Sequence, residues 1–566
     1  MKFHIHTSNS STYEANNTCI SERERAMSAT GKTFLSGVVV LTLSTVLVKV
    51  IGLFYKIPML HYLGSEGMGY FNAAYEWYAT LCVLSTAGLP LASSILIAEA
   101  RAAHSATAIR RVERMTLGLF LALGTIGSLG LFFGAGAISR LIGSPQTRYA
   151  LAAVSPTLFF SCLSGAYRGY FQGFQDMIPT AISQIIEAIG KLLLGLGMGI
   201  YAWQRGMSAP YIAAWAMLGL SIGVALSTLY LILRRRTGKY TKEECFLEDR
   251  GTSERAVASV RRLLGYAIPI TVSSSVLSLT RLLDMAMILR RLQSVGYSAA
   301  SANALYGSYT TMAVPIFNLI PSLITSVALA LVPALTAAIE AGDVETQKST
   351  ARAAIRITAL LSLPASLAVA LYSRTILNLL FRGERAAVNA AAPMLSILSV
   401  SIVFSGLITT TNAILQAYGH PRAPIVSMVS GSAVKLIGAY ALIGIPGLNI
   451  YGAPISTFLC DALIVGMNMV LIARYTDVLE SFRTALLRPL GVSLVAVGVP
   501  GMVFALLTRV GYAEIPLFLG AIPITLMLFL VLSLRTRLIG EQELSILPPR
   551  IGGRLTRILH TLQGGS

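Results

Sequence analysis

The sequence predicts an all-α polytopic membrane protein, and its composition and its long apolar segments lead to that class. The chain of 566 residues is 54% hydrophobic and only 12% charged, whereas soluble domains carry about 25% charged residues. It contains many stretches of about 20 apolar residues, each long enough to cross a hydrocarbon core of about 30 Å. Because these stretches are continuously apolar, they argue against the short alternating strands of a β-barrel.

We place about fourteen candidate membrane helices along the chain. Six fall in an N-lobe, residues 33–234, six in a C-lobe, residues 261–475, and two within residues 476–538. The segments outside these units are predicted to be cytoplasmic: a tail (1–32), a charged linker (235–260) and a basic tail (539–566).

The two tails each allow two interpretations. The N-terminal tail is polar and has no apolar core, so it is not a signal peptide. It is either a disordered tail or, if translation starts at Met27 rather than Met1, an extension. At the other end, residues 550–566 are either a frayed tail or a basic amphipathic helix that lies on an anionic leaflet.

The two lobes are predicted to be copies of one another. Tyr75 recurs as Tyr306 and Pro90 as Pro321, in each case roughly 230 residues later. Each copy has an even number of helices, so corresponding helices cross in the same direction. The repeats are therefore parallel and related by a pseudo-twofold axis along the membrane normal. Two such lobes should enclose a central cleft.

The net charge of +19 could indicate nucleic-acid binding, but the distribution of the charge favours a membrane. Most of the 44 lysines and arginines fall in segments that the helix order places inside, which is the positive-inside bias. We therefore predict a multi-pass protein of the cell membrane, with both termini cytoplasmic and no nucleic-acid partner. The five cysteines show no metal-ligand spacing, and no nucleotide-binding or hydrolase motif occurs. These absences predict a protein with no cofactor and no enzymatic activity.

Charged residues inside the predicted helices are the candidates for function, because such groups are costly in a bilayer. Glu187 and Lys191 are four residues apart, and Arg281 and Asp284 are three apart, so each pair can form a local salt bridge. Lys435 has no acid on its own helix. The full set comprises four cations and four acids: Lys49, Lys191, Arg281, Lys435, Glu76, Glu187, Asp284 and Asp461.

A lone lysine at mid-membrane costs about 2.5–3.5 kcal/mol on insertion scales, so Lys49 and Lys435 need compensation. Aqueous access, an acid on another helix or an anionic ligand could each supply it. Snorkelling of the side chain to the interface is the alternative.

The duplication separates the cations from the acids. Lys49 is equivalent to Arg281 and Lys191 to Lys435, whereas Glu76 aligns with a glycine in the other copy. Asp461, the acid in the last helix of the C-lobe, aligns with a serine in the N-lobe. We predict that the four cations bind an anionic group such as a diphosphate. The acids then either bind a coupling Na⁺ or H⁺ or neutralise a lysine, and the membrane potential is a further possible driving force.

Gly88, Pro90 and Pro321 are candidate hinges, since the two prolines are predicted to interrupt the second and eighth helices. Kinks at these positions could support gating, although ordinary kinked packing is the alternative.

Several motifs resemble the stage V sporulation protein B family, a branch of the multidrug/oligosaccharidyl-lipid/polysaccharide (MOP) exporter superfamily. They are the segment from Lys49 to Pro58, the LGSEGMGY sequence at 63–70, AGLP at 87–90 and RGYFQG at 168–173. The resemblance extends over residues 33–535. Related lipid II flippases carry arginines near the end of the first helix, where this chain has lysines, and lysine contacts phosphate as a point charge rather than a fork.

The resemblance implies a two-lobed transporter that flips undecaprenyl-linked saccharides, such as the peptidoglycan precursor lipid II, by alternating access for cell-wall or spore-cortex synthesis. It also implies membrane lipids and cell-wall synthesis enzymes as partners. Three alternatives stay open: an exporter of another lipid-linked oligosaccharide, a cation-coupled multidrug antiporter, and a non-transporting scaffold.

Overall fold

The computed structural model describes residues 10–237, 256–476, 482–536 and 538, and within these ranges the chain is helical and contains no strand. A short 3-10 turn precedes α4. The first half of the chain forms α1 (Ser10–Thr86), α2 (Leu89–Ala102), α3 (Ala106–Leu141), α4 (Arg148–Gly173), α5 (Ile178–Gly190), a π-helical segment (Lys191–Gly195), α6 (Leu196–Gln204) and α7 (Ala209–Arg236).

The second half repeats this arrangement and then adds two helices. A second 3-10 turn precedes α14. The elements are α8 (Ala256–Ser294), α9 (Ala299–Ser308), a π-helical segment (Tyr309–Ala313), α10 (Val314–Glu340), α11 (Val344–Leu380), α12 (Arg385–Ala417), α13 (Ala423–Ile443), α14 (Gly452–Tyr475), α15 (Phe482–Arg509) and α16 (Glu514–Arg535).

Local sequence signals account for where several helices begin. Ser105 and Ser298 accept hydrogen bonds from backbone amides in the first turns of α3 and α9, at 3.3 and 3.1 Å. Asp343 does the same for α11 at 3.0 Å. Such caps satisfy amides that the first turn of a helix leaves without partners. In α5, α7 and α13 a proline occupies the first turn, where its missing N–H removes no helical hydrogen bond.

The long element α1 contains two helices that meet at Gly64, whose backbone angles (φ 66°, ψ 173°) suit glycine and strain other residues. Lys56 and Asn72 lie at equal distances along the chain on either side of Gly64, and both donate a hydrogen bond to Thr310. In a straight helix Lys56 and Asn72 would be about 24 Å apart. The chain therefore folds back at Gly64, and α1 supplies the first two predicted helices.

The first helix starts within the N-terminal tail. α1 begins at Ser10, inside the segment 1–32, for which a disordered tail was one of the two interpretations. Residues 10–30 contain no glycine or proline and include the helix-forming sequence ERERA at 22–26. Residues 238–255 of the linker and residues 539–566 of the basic tail lie outside the described residues.

The described residues contain fewer candidate membrane spans than the fourteen predicted. In the described ranges, 11 helices are long and apolar enough to cross a membrane, or 12 if the bent pair Arg261–Val272 and Ser274–Ser294 counts as one span. One of the 11 is the 56-residue run Leu47–Ala102, which contains the fold-back at Gly64. The all-α polytopic class is thus confirmed, whereas the count of about fourteen stays a prediction.

Each half of the chain packs into a bundle around one central helix. In the N-lobe this helix is α4, which contacts α1, α2, α3 and α7, and in the C-lobe it is α12, which contacts α10, α11 and α14. The two additional helices, α15 and α16, pack against α11. There Phe504 and Phe518 lie beside Tyr372, with ring centroids 5.0 and 5.2 Å from its own. These two helices thus extend the C-lobe at α11 and stand outside the duplicated unit.

The lobes meet where α1 crosses α9, and the two helices touch through their backbones. A Cβ atom on Gly69 would collide with the carbonyl oxygen of Asn303, and one on Gly307 would collide with that of Ser65. A second close contact between the lobes lies at Gly88, just before α2. A Cβ added to Gly88 would collide with the Ala267 carbonyl of α8. Small residues allow such close helix crossings in membranes.

Replacing Gly307 with valine is expected to separate α1 from α9, because the added carbons need the space that the Ser65 carbonyl occupies. Spin labels on Arg205 and Arg385, one in each lobe, should then report a longer inter-lobe distance. Gly118→Val is the control, since a Cβ at Gly118 meets no atom within 4 Å. An unchanged distance in the Gly307 variant would contradict the close crossing.

Candidate functional site between the lobes

The charged side chains of both lobes converge where α1 crosses the C-lobe. The Nζ of Lys56 donates a hydrogen bond to the carbonyl oxygen of Thr310 at 2.9 Å. Thr310 belongs to the π-helical segment Tyr309–Ala313, whose wider turn shifts backbone groups out of the regular helical hydrogen-bond pattern. Lys56 also interacts electrostatically with Lys191 and Glu76. An N-lobe lysine therefore reaches the C-lobe at this point.

Lys191 lies against aromatic rings rather than against an acid. Its Nζ is 4.4 Å from the ring centroid of Tyr75 and 5.3 Å from that of Tyr55. Lys191 is also the first residue of the π-helical segment Lys191–Gly195. A cation over an aromatic face is held by the ring quadrupole with about 0.5–2 kcal/mol.

Glu76 lies among charges from both lobes. It interacts electrostatically with Arg281, Lys56, Lys435 and Asp284. Among the described residues no cationic nitrogen lies within 4.0 Å of its carboxylate, although three cations surround it. We call Lys56, Glu76, Lys191, Arg281, Asp284 and Lys435 the central charge cluster.

The two local salt bridges allowed by the sequence do not form. Glu187 pairs with Arg168 of α4, with Nη2 and Oε2 3.0 Å apart, while Lys191 turns to the aromatic rings. Asp284 pairs with Lys435 of α13 at 2.9 Å. Arg281 instead donates to the Ser278 hydroxyl at 3.2 Å.

The residues of each predicted local pair do not meet because they face different surroundings. Asp284 is only 7% exposed and points toward α13, whereas Arg281 is exposed. Spacing on a single helix identifies residues that can meet, but neighbouring helices in a bundle offer competing partners. Lys435 is accordingly compensated by an acid on another helix, as one of the sequence interpretations proposed.

Two further charged candidates lie apart from these contacts. Lys49 is exposed, and its Nζ donates to the Ser322 hydroxyl at 2.8 Å. Asp461 is buried and accepts a hydrogen bond from the Ser405 hydroxyl at 2.8 Å. Asp461 also interacts electrostatically with Lys435, so it lies beside the cluster on the C-lobe side.

The three hinge candidates occupy different structural positions. α1 ends at Thr86 and α2 begins at Leu89. Gly88 lies in the break and donates its backbone N–H to the Thr271 hydroxyl at 3.2 Å. Pro90 falls in the first turn of α2. Pro321, by contrast, lies inside the unbroken helix α10, so the interruption predicted there is wrong. Packing from neighbouring helices and Ser/Thr hydroxyls allow a transmembrane helix to continue through proline.

Lys56 and Arg168 are the main residues that the charge analysis did not select. Lys56 lies seven residues after Lys49, and this spacing places both on one helix face. The seven-residue spacing from Lys49 was therefore the sequence signal that could have identified Lys56. Arg168 lies in a motif of the family resemblance, but nothing in the local sequence indicates that Glu187 is its partner. Among the described residues no group of three or more His, Cys, Asp or Glu could hold a metal ion.

Comparison with known protein families agrees with this geometry. Residues 34–339 match the model of the polysaccharide biosynthesis protein family, and residues 269–441 match that of MatE. The first match covers more than half of the chain. The chain belongs to the polysaccharide biosynthesis protein family. Through these matches and its relatives it is a member of the MOP superfamily, which confirms the resemblance stated from the motifs.

Two curated relatives come from Bacillus subtilis (strain 168). Stage V sporulation protein B is 26% identical over 533 residues, which cover 93% of this chain and 99% of the relative. Lipid II flippase MurJ is 25% identical over 423 residues, which cover 71% of this chain and 76% of the relative. The second of these relatives is named for its activity as a flippase.

Two solved structures share the fold. A lipid II flippase MurJ in an inward closed conformation superposes with a TM-score of 0.62 at 16% identity, covering 88% of this chain and 98% of that one. An inward-facing multidrug resistance transporter of the MATE family superposes with a TM-score of 0.60 at 16% identity, covering 76% and 99%. Both neighbours therefore share the overall fold of this chain.

Removing the carboxylate of Asp284 is expected to destabilise the protein, because Lys435 would remain buried without a partner. The side chains of Lys435 and Asp284 are only 15% and 11% exposed, and breaking a buried pair costs about 3–5 kcal/mol. Asp284→Asn should therefore lower the thermal unfolding midpoint clearly, and Lys435→Met in the same chain should recover part of the loss.

The matched control for this test is the exposed pair Arg262–Glu99, whose side chains are 45% and 44% exposed. Exposed pairs contribute about 0–1 kcal/mol, so Arg262→Gln should change the midpoint little. Equal effects of Asp284→Asn and Arg262→Gln would show that the Asp284–Lys435 pair is not a buried structural contact.

Proposed function

We propose that the chain is a flippase that moves an undecaprenyl-diphosphate-linked saccharide across the cell membrane by alternating access. A lipid II-like peptidoglycan precursor is the proposed substrate, which would serve cell-wall or spore-cortex synthesis. The observation that carries the proposal is the central charge cluster, because its cations come from both lobes. Membership of a family named for polysaccharide biosynthesis, with a lipid II flippase among the relatives, supports the substrate class.

The cations of the cluster suit a ligand with several negative charges. Among the described residues Lys56, Lys191 and Arg281 form no ion pair with N and O within 4.0 Å. Cations inside a membrane protein are costly unless an opposite charge or water compensates them. A diphosphate has enough charge to bind more than one of them at once. The exposed Lys49 extends the cationic surface. Lys435 adds positive charge on the C-lobe side, where it is paired with Asp284.

Binding by both lobes gives a physical link to alternating access. The lobes touch through the crossing of α1 and α9 at Gly69 and Gly307. A substrate held by cations of both lobes favours their approach, and its release allows them to separate. Rocking of the lobes would then transfer the saccharide headgroup while the lipid tail stays in the bilayer. The break at Gly88 is the proposed flexible point on this face.

The acids Glu76 and Asp461 are proposed to couple transport to Na⁺, H⁺ or the membrane potential. Glu76 competes with the substrate diphosphate for the same cations, because it already interacts with Lys56 and Arg281. Neutralising Glu76 with a proton or a sodium ion would release those cations to the substrate. Asp461 interacts electrostatically with Lys435, so neutralising Asp461 would change the charge balance on the C-lobe side of the cluster. Both termini are proposed to lie in the cytoplasm, and cell-wall synthesis enzymes are the proposed partners.

The double variant Lys49→Ala/Arg281→Ala is expected to abolish transport and to leave expression and membrane insertion intact, because both side chains are exposed. The measurement is lipid II translocation in cells depleted of their own flippase. Arg382→Ala/Arg474→Ala is the control, since it removes two exposed cations away from the cluster.

Full rescue by the double variant would refute the anion-binding role of these residues. Failure of the wild-type protein to rescue, despite correct insertion, would instead replace lipid II with another lipid-linked saccharide as the substrate.

Glu76→Gln is expected to tighten binding of undecaprenyl diphosphate, because it removes a negative charge from among the cations that would hold the diphosphate. One charge interaction at about 4 Å is worth about 1 kcal/mol even at the dielectric constant of water, so the dissociation constant should fall at least about fivefold in a titration of purified protein. Glu66→Gln is the control in the same element, where Glu66 accepts a hydrogen bond from Tyr70 at 2.7 Å. Weaker binding by Glu76→Gln would show that Glu76 does not compete with the substrate.

A further inference from the structure

A groove of about 1000 Å³ lies on the C-lobe, between the first turns of α13 and the last turns of α14. Val426, Leu463 and Met467 are among the residues that line its apolar part. His420, Arg422 and Tyr475 line the end near the turn between α12 and α13. The groove is therefore apolar along the helices and polar where the helices reach the membrane surface.

The groove exists because small residues face it. Gly466 of α14 is part of the lining, and a Cβ added there would meet no atom within 4 Å. Ala423 and Ala462 also line it. In a membrane-spanning helix, an apolar channel of this kind lies at the depth of lipid acyl chains.

The polar end has the features of a phosphate site. The side chain of Arg422 is exposed and makes no hydrogen bond or ion pair among the described residues. It is the N-cap of α13, and no side chain caps that helix. The first turn of a helix presents backbone amides and the positive end of the helix dipole, which favour anions. His420 stacks on Tyr475 with centroids 4.1 Å apart, and this contact holds the imidazole at the same end.

Charge decides between two occupants of the groove. The chain's own tail (550–566) carries Arg554 and Arg557, which Arg422 would repel. An anionic phospholipid carries a phosphate for Arg422 and acyl chains for the apolar part. Arginine is well suited to phosphate because its planar fork donates two parallel hydrogen bonds.

We propose that this groove binds an anionic phospholipid, with the phosphate on Arg422 and one acyl chain along Val426, Leu463 and Met467. The site faces the outside of the C-lobe and is separate from the central charge cluster. It is a lipid site for the protein rather than a second substrate site, and it does not depend on the proposed function.

The test uses the purified full-length protein in detergent and measures binding and thermal stabilisation by phosphatidylglycerol and by phosphatidylcholine with identical acyl chains. The wild-type protein should bind phosphatidylglycerol more tightly. Arg422→Gln should weaken that binding about fivefold, as expected for one basic charge near an anionic lipid, and should leave phosphatidylcholine binding unchanged. Gly466→Leu fills the apolar part and should weaken the binding of both lipids.

Arg474→Gln is the matched control, because Arg474 lies at the same end of α14 but does not line the groove. Three results would overturn the proposal. They are equal affinity of the wild-type protein for the two lipids, retention of the preference in Arg422→Gln, and equal stabilisation by inorganic phosphate alone. Crosslinking of the chain's own tail to the groove would likewise replace the lipid as its occupant.

Discussion

The candidate site depends on the close crossing of α1 and α9. Gly69 and Gly307 let the two backbones touch, and only at that separation can Lys56 of the N-lobe bond to the Thr310 carbonyl of the C-lobe at 2.9 Å. Any side chain at either glycine would hold the lobes apart. The cations of the two lobes would then lie in separate surroundings rather than around Glu76. A steric property of two glycines thus determines whether the charges act together.

Irregular backbone accompanies the charges in both lobes. The π-helical segment Lys191–Gly195 starts with a cation of the cluster, and the segment Tyr309–Ala313 contains the carbonyl that Lys56 contacts. A π turn inserts a residue into the helix, which turns the following side chains to a new direction and frees backbone groups. Such segments are costly and occur often at functional sites. Their positions support the view that the polar groups here are retained for function rather than for packing.

Sequence reasoning predicted the architecture better than the contacts. The apolar segments and the duplication predict an all-α membrane protein with two lobes, because both depend on periodicity and length alone. The intramembrane charges also led to five residues that the structure brings into one cluster with Lys56, namely Glu76, Lys191, Arg281, Asp284 and Lys435. The pairing was wrong, since a local rule of three or four residues cannot include α4 or α13 as sources of partners. The same limit applies to Pro321, whose helix continues because its surroundings stabilise it.

Equivalent positions in the two copies have acquired different environments. Lys435 is bound to Asp284 at 2.9 Å, and breaking such a buried pair costs about 3–5 kcal/mol. Its N-lobe counterpart Lys191 rests on the rings of Tyr75 and Tyr55, an interaction worth about 0.5–2 kcal/mol. An incoming anion would therefore recruit Lys191 at much lower cost than Lys435. The duplication predicted equal roles for these lysines, but the energetics favour a structural role in the C-lobe and a ligand-binding role in the N-lobe.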